Sequence, residues 1–171
     1  MRIVLTVLLL AASTFAQAQP VGLSAACGPD DVSFHVTLDK SQHKLEQPGP
    51  GKALAYFFQD EAWAKIGLDG AWVGANRGHS YFSVPVEPGE HHICVNARSK
   101  DYPTEVAHLS AEAGKVYYYR VRVLGITDGS YLFLGAIDSD EAKYLIASYS
   151  LSVSRPKPRG EAPALPRCCL F

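Results

Sequence analysis

Short runs of alternating apolar and polar residues, separated by turn residues, place the strongest constraint on how this chain folds. The runs from Val32 to Asp39 and from Val116 to Leu124 both show this alternation. A period of two is typical of a strand with one buried face. Asp69-Gly70 and Pro88-Gly89 are typical of tight turns between strands. The pattern predicts an antiparallel β-sandwich of about seven or eight strands.

Two segments depart from this alternation. Residues 53–58 are almost entirely apolar, which is typical of a central strand that is buried on both faces. Residues 139–149 predict one short helix, which Asp138 or the first helical serine could cap. Asp140 and Glu141 suit the positive end of its dipole. The predicted fold class is therefore mainly all-β, with one short C-terminal helix.

The two ends of the chain differ in composition from its middle. Residues 1–18 combine Arg2, a short apolar stretch and a small-residue cleavage pattern, which predicts a secretory signal peptide. Residues 19–30 predict a loose lead-in, residues 31–154 the sandwich domain, and residues 155–171 a flexible proline-rich tail. We therefore expect export of the protein to the periplasm or beyond the cell.

The four cysteines of an exported chain can form disulfides. Three connectivities are possible, and we favour Cys27–Cys94 because Cys168 and Cys169 lie in the predicted tail. The residues before Cys27 resemble a lipid-attachment motif only loosely, so the sequence does not favour a lipid anchor there. Residues 168–171 formally fit a prenylation pattern, but prenyl transfer is a cytosolic reaction.

The charge balance argues against a nucleic-acid partner. The chain has 16 basic and 17 acidic side chains and a formal net charge of −1. A nucleic-acid binder usually carries a strongly basic surface.

Hydrophobic residues make up 47% of the chain, which excludes wholesale disorder. After the leader, no segment is long and apolar enough to predict a transmembrane helix.

Several motifs resemble an uncharacterised bacterial family, the domain-of-unknown-function family 2846. The motifs are Lys52 to Phe58, Gly67 to Gly70, Gly78 to Val86, Val86 to His91 and Ala113 to Tyr118. The resemblance covers about residues 50–125, and it implies an exported or lipid-anchored, mostly β domain. The turn residues also resemble small surface sandwiches of the PEGA and carboxypeptidase-regulatory type. Because the family carries no established activity, the resemblance implies no catalytic residue here.

His79 and His91 suggest a metal site. They could approach each other across a predicted hairpin with Glu87 nearby, and these donors suit zinc or copper. Exposed histidines at turn ends would explain the same residues without a metal. His91 and His92 are adjacent in a predicted strand, so their side chains leave on opposite faces and cannot easily share one ion.

The sequence contains no recognisable catalytic or cofactor motif. A nucleophile elbow of the G-x-S-x-G type and a glycine-rich phosphate loop are both absent from the printed sequence. We therefore expect neither an enzyme nor a cofactor.

Trp63 and Trp72 flank the Asp69-Gly70 turn and suggest a binding surface. Exposed aromatic side chains on a sandwich can bind glycans or a protein partner, although tryptophan is also a routine core residue. We therefore expect a non-catalytic binding or interaction module of the cell envelope, with a protein or glycan partner. The alternatives are a metal-dependent or hydrolytic enzyme at the histidine site and a purely structural envelope component.

Overall fold

The computed structural model describes residues 27–41, 45–97, 104–126 and 129–157. Within them lie ten β-strands and a helix that we call α1. Their bounds in chain order are β1 Phe34–Asp39, β2 Ala53–Gln59, β3 Trp63–Leu68, β4 Ala71–Arg77, β5 Ser80–Val86, β6 Gly89–Ala97, β7 Glu105–Ala111, β8 Val116–Ile126, β9 Gly129–Ala136, α1 Ser139–Ser148 and β10 Ser150–Pro156. The predicted signal peptide, Cys168 and Cys169 lie outside the described residues.

The strands form two sheets, which confirms the all-β prediction. One sheet has six strands in the order β1-β10-β5-β2-β8-β9, and the other has four in the order β4-β3-β6-β7. Most neighbouring strands are antiparallel, but β10 pairs with β5 and β2 pairs with β8 in parallel. The strands number ten rather than seven or eight. The prediction missed β10, which a single residue separates from α1, so that no turn signal precedes it.

The main core lies between the two sheets, and β2 runs through its centre. All seven residues of β2 are buried, which confirms the predicted central strand. The Phe57 ring faces the other sheet, with its centroid 5.5 Å from that of Phe82 and 5.8 Å from that of Tyr119. Gln59 is also fully buried, and its side-chain amide has no hydrogen-bond partner among the described residues.

Helix α1 covers the outer face of the six-stranded sheet. It begins after Asp138, whose carboxylate accepts hydrogen bonds from the backbone N–H groups of Asp140 and Glu141. This is the predicted cap, and it satisfies two donors that a helix start leaves unpaired. The buried residues of the helix and sheet form a second core cluster, which comprises Leu54, Tyr56, Phe58, Tyr81, Ala142, Leu145 and Ile146.

Serine side chains of β10 join the two sheets along one side. The hydroxyl of Ser152 donates to the carbonyl oxygen of Ala75 in β4 at 2.6 Å, and the Ala75 N–H donates to the hydroxyl of Ser154 at 3.1 Å. These bonds occupy backbone groups on the edge strand of the four-stranded sheet. An open edge would otherwise be available for pairing with another chain. The same contacts bring β1, the neighbour of β10, close to the end of β4.

A disulfide attaches the chain before β1 to the four-stranded sheet. Cys27 and Cys94 are bonded, as the sequence favoured, with their Cα atoms 5.0 Å apart. Gly67 lies directly beneath this segment, since a Cβ atom there would come within 2.5 Å of the Cys27 carbonyl oxygen. Only glycine allows the two backbones to approach so closely.

Candidate functional site

Hydrogen bonds connect the tip of the predicted hairpin turn to strand β6. Asp69 and Gly70 have φ angles of 49° and 81°, as the expected type I′ turn requires. The Asp69 carboxylate accepts hydrogen bonds from the His91 ring at 2.6 Å and from the His92 N–H at 2.8 Å. The other ring nitrogen of His91 lies 2.7 Å from the Glu87 carbonyl oxygen. Asp69, which lies in the turn of the binding surface predicted from the two tryptophans, therefore has structural partners.

We expect Asp69→Asn to remove a pH-dependent part of the stability. Burial raises the pKa of Asp69, but hydrogen bonds from His91 and His92 and the charges of both imidazoles outweigh it and lower the pKa below 3.8. A carboxyl group with a lowered folded pKa stabilises the fold above its unfolded pKa, and this contribution disappears as the pH falls through the folded value. Asparagine tolerates the positive φ, so the turn itself is retained.

Urea denaturation over a range of pH values measures this effect. The wild type should be more stable than Asp69→Asn near about pH 7, and the difference should close as the pH falls below the ordinary aspartate value. A stability difference that stays constant across the acid range would show that the carboxylate charge contributes nothing.

Of the three predicted metal ligands, the structure places His91 beside Glu87 but His79 away from both. His79 precedes β5, whereas His91 lies beyond the turn that follows β5. The His79 ring contacts Tyr149 edge-on, with centroids 5.2 Å apart, and the Glu87 carboxylate pairs with the Lys52 ammonium group. In the part of the chain that the structure describes, no three His, Cys, Asp or Glu side chains are grouped so that they could hold a metal.

Trp72 is partly buried and makes structural contacts on both its ring and its indole nitrogen. Its indole N–H donates to the Pro29 carbonyl oxygen at 2.7 Å, and the Lys65 ammonium group lies 3.9 Å from its ring centroid. The ring also packs against the disulfide. A cation over an indole face is an attractive contact that stabilises the local packing. Trp72 therefore anchors the segment before β1.

Trp63, by contrast, lines a cleft of about 360 Å³, which we call the Trp63 cleft. Trp63 begins β3 and lies opposite Arg77, the last residue of β4. Residues 34–36 of β1 form another wall, and Lys157 follows β10 at the rim. The Lys157 N–H donates to the Ser33 carbonyl oxygen at 2.8 Å, which holds this part of the chain beside β1. Four separate segments of the chain therefore build the cleft.

The lining of the Trp63 cleft combines an aromatic ring with positive charge. Its six residues include Arg77 and Lys157, together with His35, and none of the six is acidic. Within the described residues neither Arg77 nor Lys157 forms an ion pair. An arginine fork and a lysine ammonium group suit the recognition of a carboxylate or phosphate. The site can therefore take an anionic group next to an apolar surface.

A second charged cluster lies beneath α1, and the sequence analysis did not foresee it. The Arg120 guanidinium group contacts the carboxylate of Asp60 at 2.8 Å and that of Glu141 at 2.5 Å. The Tyr149 hydroxyl donates to the same Asp60 carboxylate at 2.9 Å. The Asp60 hydrogen bond is the main reason that the pKa of Arg120 is raised. The cluster bridges the sheet, α1 and the residue before β10.

Searches of family models, of curated proteins and of solved structures found no match to this chain. None of the helices in the described residues has the length and apolar character needed to cross a bilayer.

Proposed function

We propose that this chain is an exported, non-catalytic binding module of the cell envelope whose ligand occupies the Trp63 cleft. The observation that carries the proposal is the cleft itself, in which Trp63 lies beside Arg77 and Lys157 side chains that form no ion pair within the described part of the chain. Its volume of about 360 Å³ falls within the range of small-ligand sites. The cleft could accept a small molecule or the terminal unit of a longer chain.

The chemistry of the lining favours an acidic glycan as the ligand. An indole ring offers a flat apolar surface, and arginine and lysine side chains offer donors for a carboxylate. A sugar that carries a carboxylate presents both features, because its ring has apolar faces. A protein partner with an acidic side chain beside an aromatic one would use the same groups, and the experiment below separates the two.

Export is part of the proposal and has two supports. Residues 1–18 carry the leader pattern, and the chain forms the Cys27–Cys94 disulfide. Structural disulfides form and persist in oxidising compartments such as the periplasm and the cell exterior. The resemblance to domain-of-unknown-function family 2846 is consistent with an exported β domain.

Calorimetric titration with uronic-acid oligosaccharides and with matched neutral oligosaccharides tests the proposal. The chain without residues 1–18 should bind the acidic series and not the neutral series. Arg77→Gln removes a charge-assisted hydrogen bond, so it should weaken binding by about tenfold or more. Trp63→Ala should weaken binding at least as much. Tyr144→Ala is the matched control, because Tyr144 is 70% exposed and lies on α1, away from the cleft.

The outcomes separate the three classes of function. Equal affinity for neutral and acidic oligosaccharides would contradict recognition of a carboxylate by Arg77 and Lys157. Undiminished binding by Trp63→Ala would exclude the Trp63 cleft as the binding site. If no oligosaccharide binds but an envelope protein captured by the wild type is lost with Trp63→Ala, the ligand is a protein. If neither variant changes anything except stability, the chain is a structural component.

A further inference from the structure

Two exposed histidines form a pair on strands β6 and β7, away from every residue that the proposed function uses. His92 and His108 lie directly opposite each other in the antiparallel register. Their ring centroids are 4.3 Å apart, with 58° between the ring planes. Both residues are exposed. Side chains that are directly opposite on one face of a sheet are held close together by the backbone itself.

Neither imidazole ring of this pair has a hydrogen-bond partner among the described residues, in contrast to His91. The His92 backbone N–H donates to the Asp69 carboxylate, but its ring is left out of that contact. A ring nitrogen without a hydrogen-bond partner is free to bind a metal ion, which takes imidazole in its neutral form.

We propose that His92 and His108 form a two-ligand site for a divalent transition-metal ion. The strand pairing positions both rings in advance, so an ion that binds one nitrogen of each ring would be chelated without further ordering of the backbone. Ions of this class bind imidazole nitrogen at about 2.0–2.1 Å and accept water at their remaining positions. The general order of stability places Cu²⁺ above Zn²⁺ at such a site. Cys94 follows on the same face of β6 but cannot be a ligand, because its sulfur is in the disulfide.

The site is distinct from the arrangement that the sequence suggested. That arrangement used His79, His91 and Glu87, of which the fold places His79 away from the other two. It is also independent of the Trp63 cleft, which is built from other strands and other side chains. The metal proposal and the glycan proposal can therefore fail separately.

Titration of the chain without residues 1–18 with Cu²⁺ alone, and separately with Zn²⁺ alone, tests the site. Calorimetry should show one ion per chain that depends on both rings. His92→Ala and His108→Ala should each weaken binding by at least the roughly 10- to 100-fold that loss of a supporting partner costs a metal site. His79→Ala is the matched control, because it removes an exposed histidine outside the pair and should leave the affinity unchanged.

A second readout identifies the ligands directly. Electron paramagnetic resonance of the Cu²⁺-loaded chain should show coupling to two imidazole nitrogens in the wild type, and to one in His108→Ala. Thermal unfolding of each variant without metal checks that the fold is intact. The proposal is overturned if His108→Ala binds Cu²⁺ as tightly as the wild type, or if His79→Ala loses binding to the same extent as His92→Ala.

Discussion

Replacing Cys27 and Cys94 together with serine should lower the free energy of unfolding by about 4 kcal/mol. The disulfide closes a loop of 67 residues, so its removal restores a large conformational freedom to the unfolded chain. In the folded chain it also holds the segment that covers Gly67 and Trp72. For a domain of this size the midpoint of thermal unfolding should fall by on the order of 10 °C.

Thermal unfolding with and without a reductant measures the effect. The wild type should lose stability in reductant, whereas the Cys27→Ser/Cys94→Ser variant should not respond. A Cys168→Ser/Cys169→Ser variant is the control, and it should respond to reductant as the wild type does. The prediction fails if mass spectrometry shows both Cys27 and Cys94 reduced while the unfolding midpoint is unchanged.

Truncation of Phe57 to alanine should cost about 3–5 kcal/mol of stability. Phe57 is completely buried in the central strand, between the rings of Phe82 and Tyr119. Its removal would leave a cavity between two sheets whose backbones are fixed by strand pairing on both sides of β2. Such a site can collapse only partly, so both the lost burial and the cavity contribute to the cost.

Urea denaturation measures the loss, with Tyr144→Ala as the surface control. Tyr144 is the most exposed of the large hydrophobic residues in the described part of the chain, so its removal should change stability by no more than about 0.5 kcal/mol. If Phe57→Ala does not fold, Phe57→Leu provides a smaller truncation. Its loss of stability should exceed that of Tyr144→Ala and stay below the loss expected for Phe57→Ala. Equal stability of Phe57→Ala and Tyr144→Ala would contradict the assignment of β2 to the centre of the core.

The parts of the fold that were predictable depend on residues that are close in sequence. The Asp69-Gly70 turn, the doubly buried β2 and the Asp138 cap all follow from a few adjacent side chains and their backbone preferences. Such preferences act locally, so they can be read from a single sequence. Strand β10 was missed because it follows α1 without a turn signal. The parallel pairing of β2 with β8 depends on the route of the whole chain.

The candidate sites were less predictable, because each combines residues from distant segments. Trp63 was singled out from the sequence, but the Arg77 and Lys157 side chains that define its cleft were not. His92 was considered only as the neighbour of His91. Its contact with His108 depends on the register between β6 and β7, which the order of residues does not reveal.

The sequence by itself determined the β class, the principal turns and the helix start, because strand alternation, turn residues and a helix cap each depend on residues that are close in sequence. It also favoured the Cys27–Cys94 pairing, because the other two cysteines lie in the predicted tail. The tertiary structure alone decided that Trp72 is an anchor and that Trp63 lines a cleft. It also decided which histidines meet, separating His79 from His91 and placing His92 against His108. Strand order and register are collective properties of the whole chain, and they set which distant side chains share a surface.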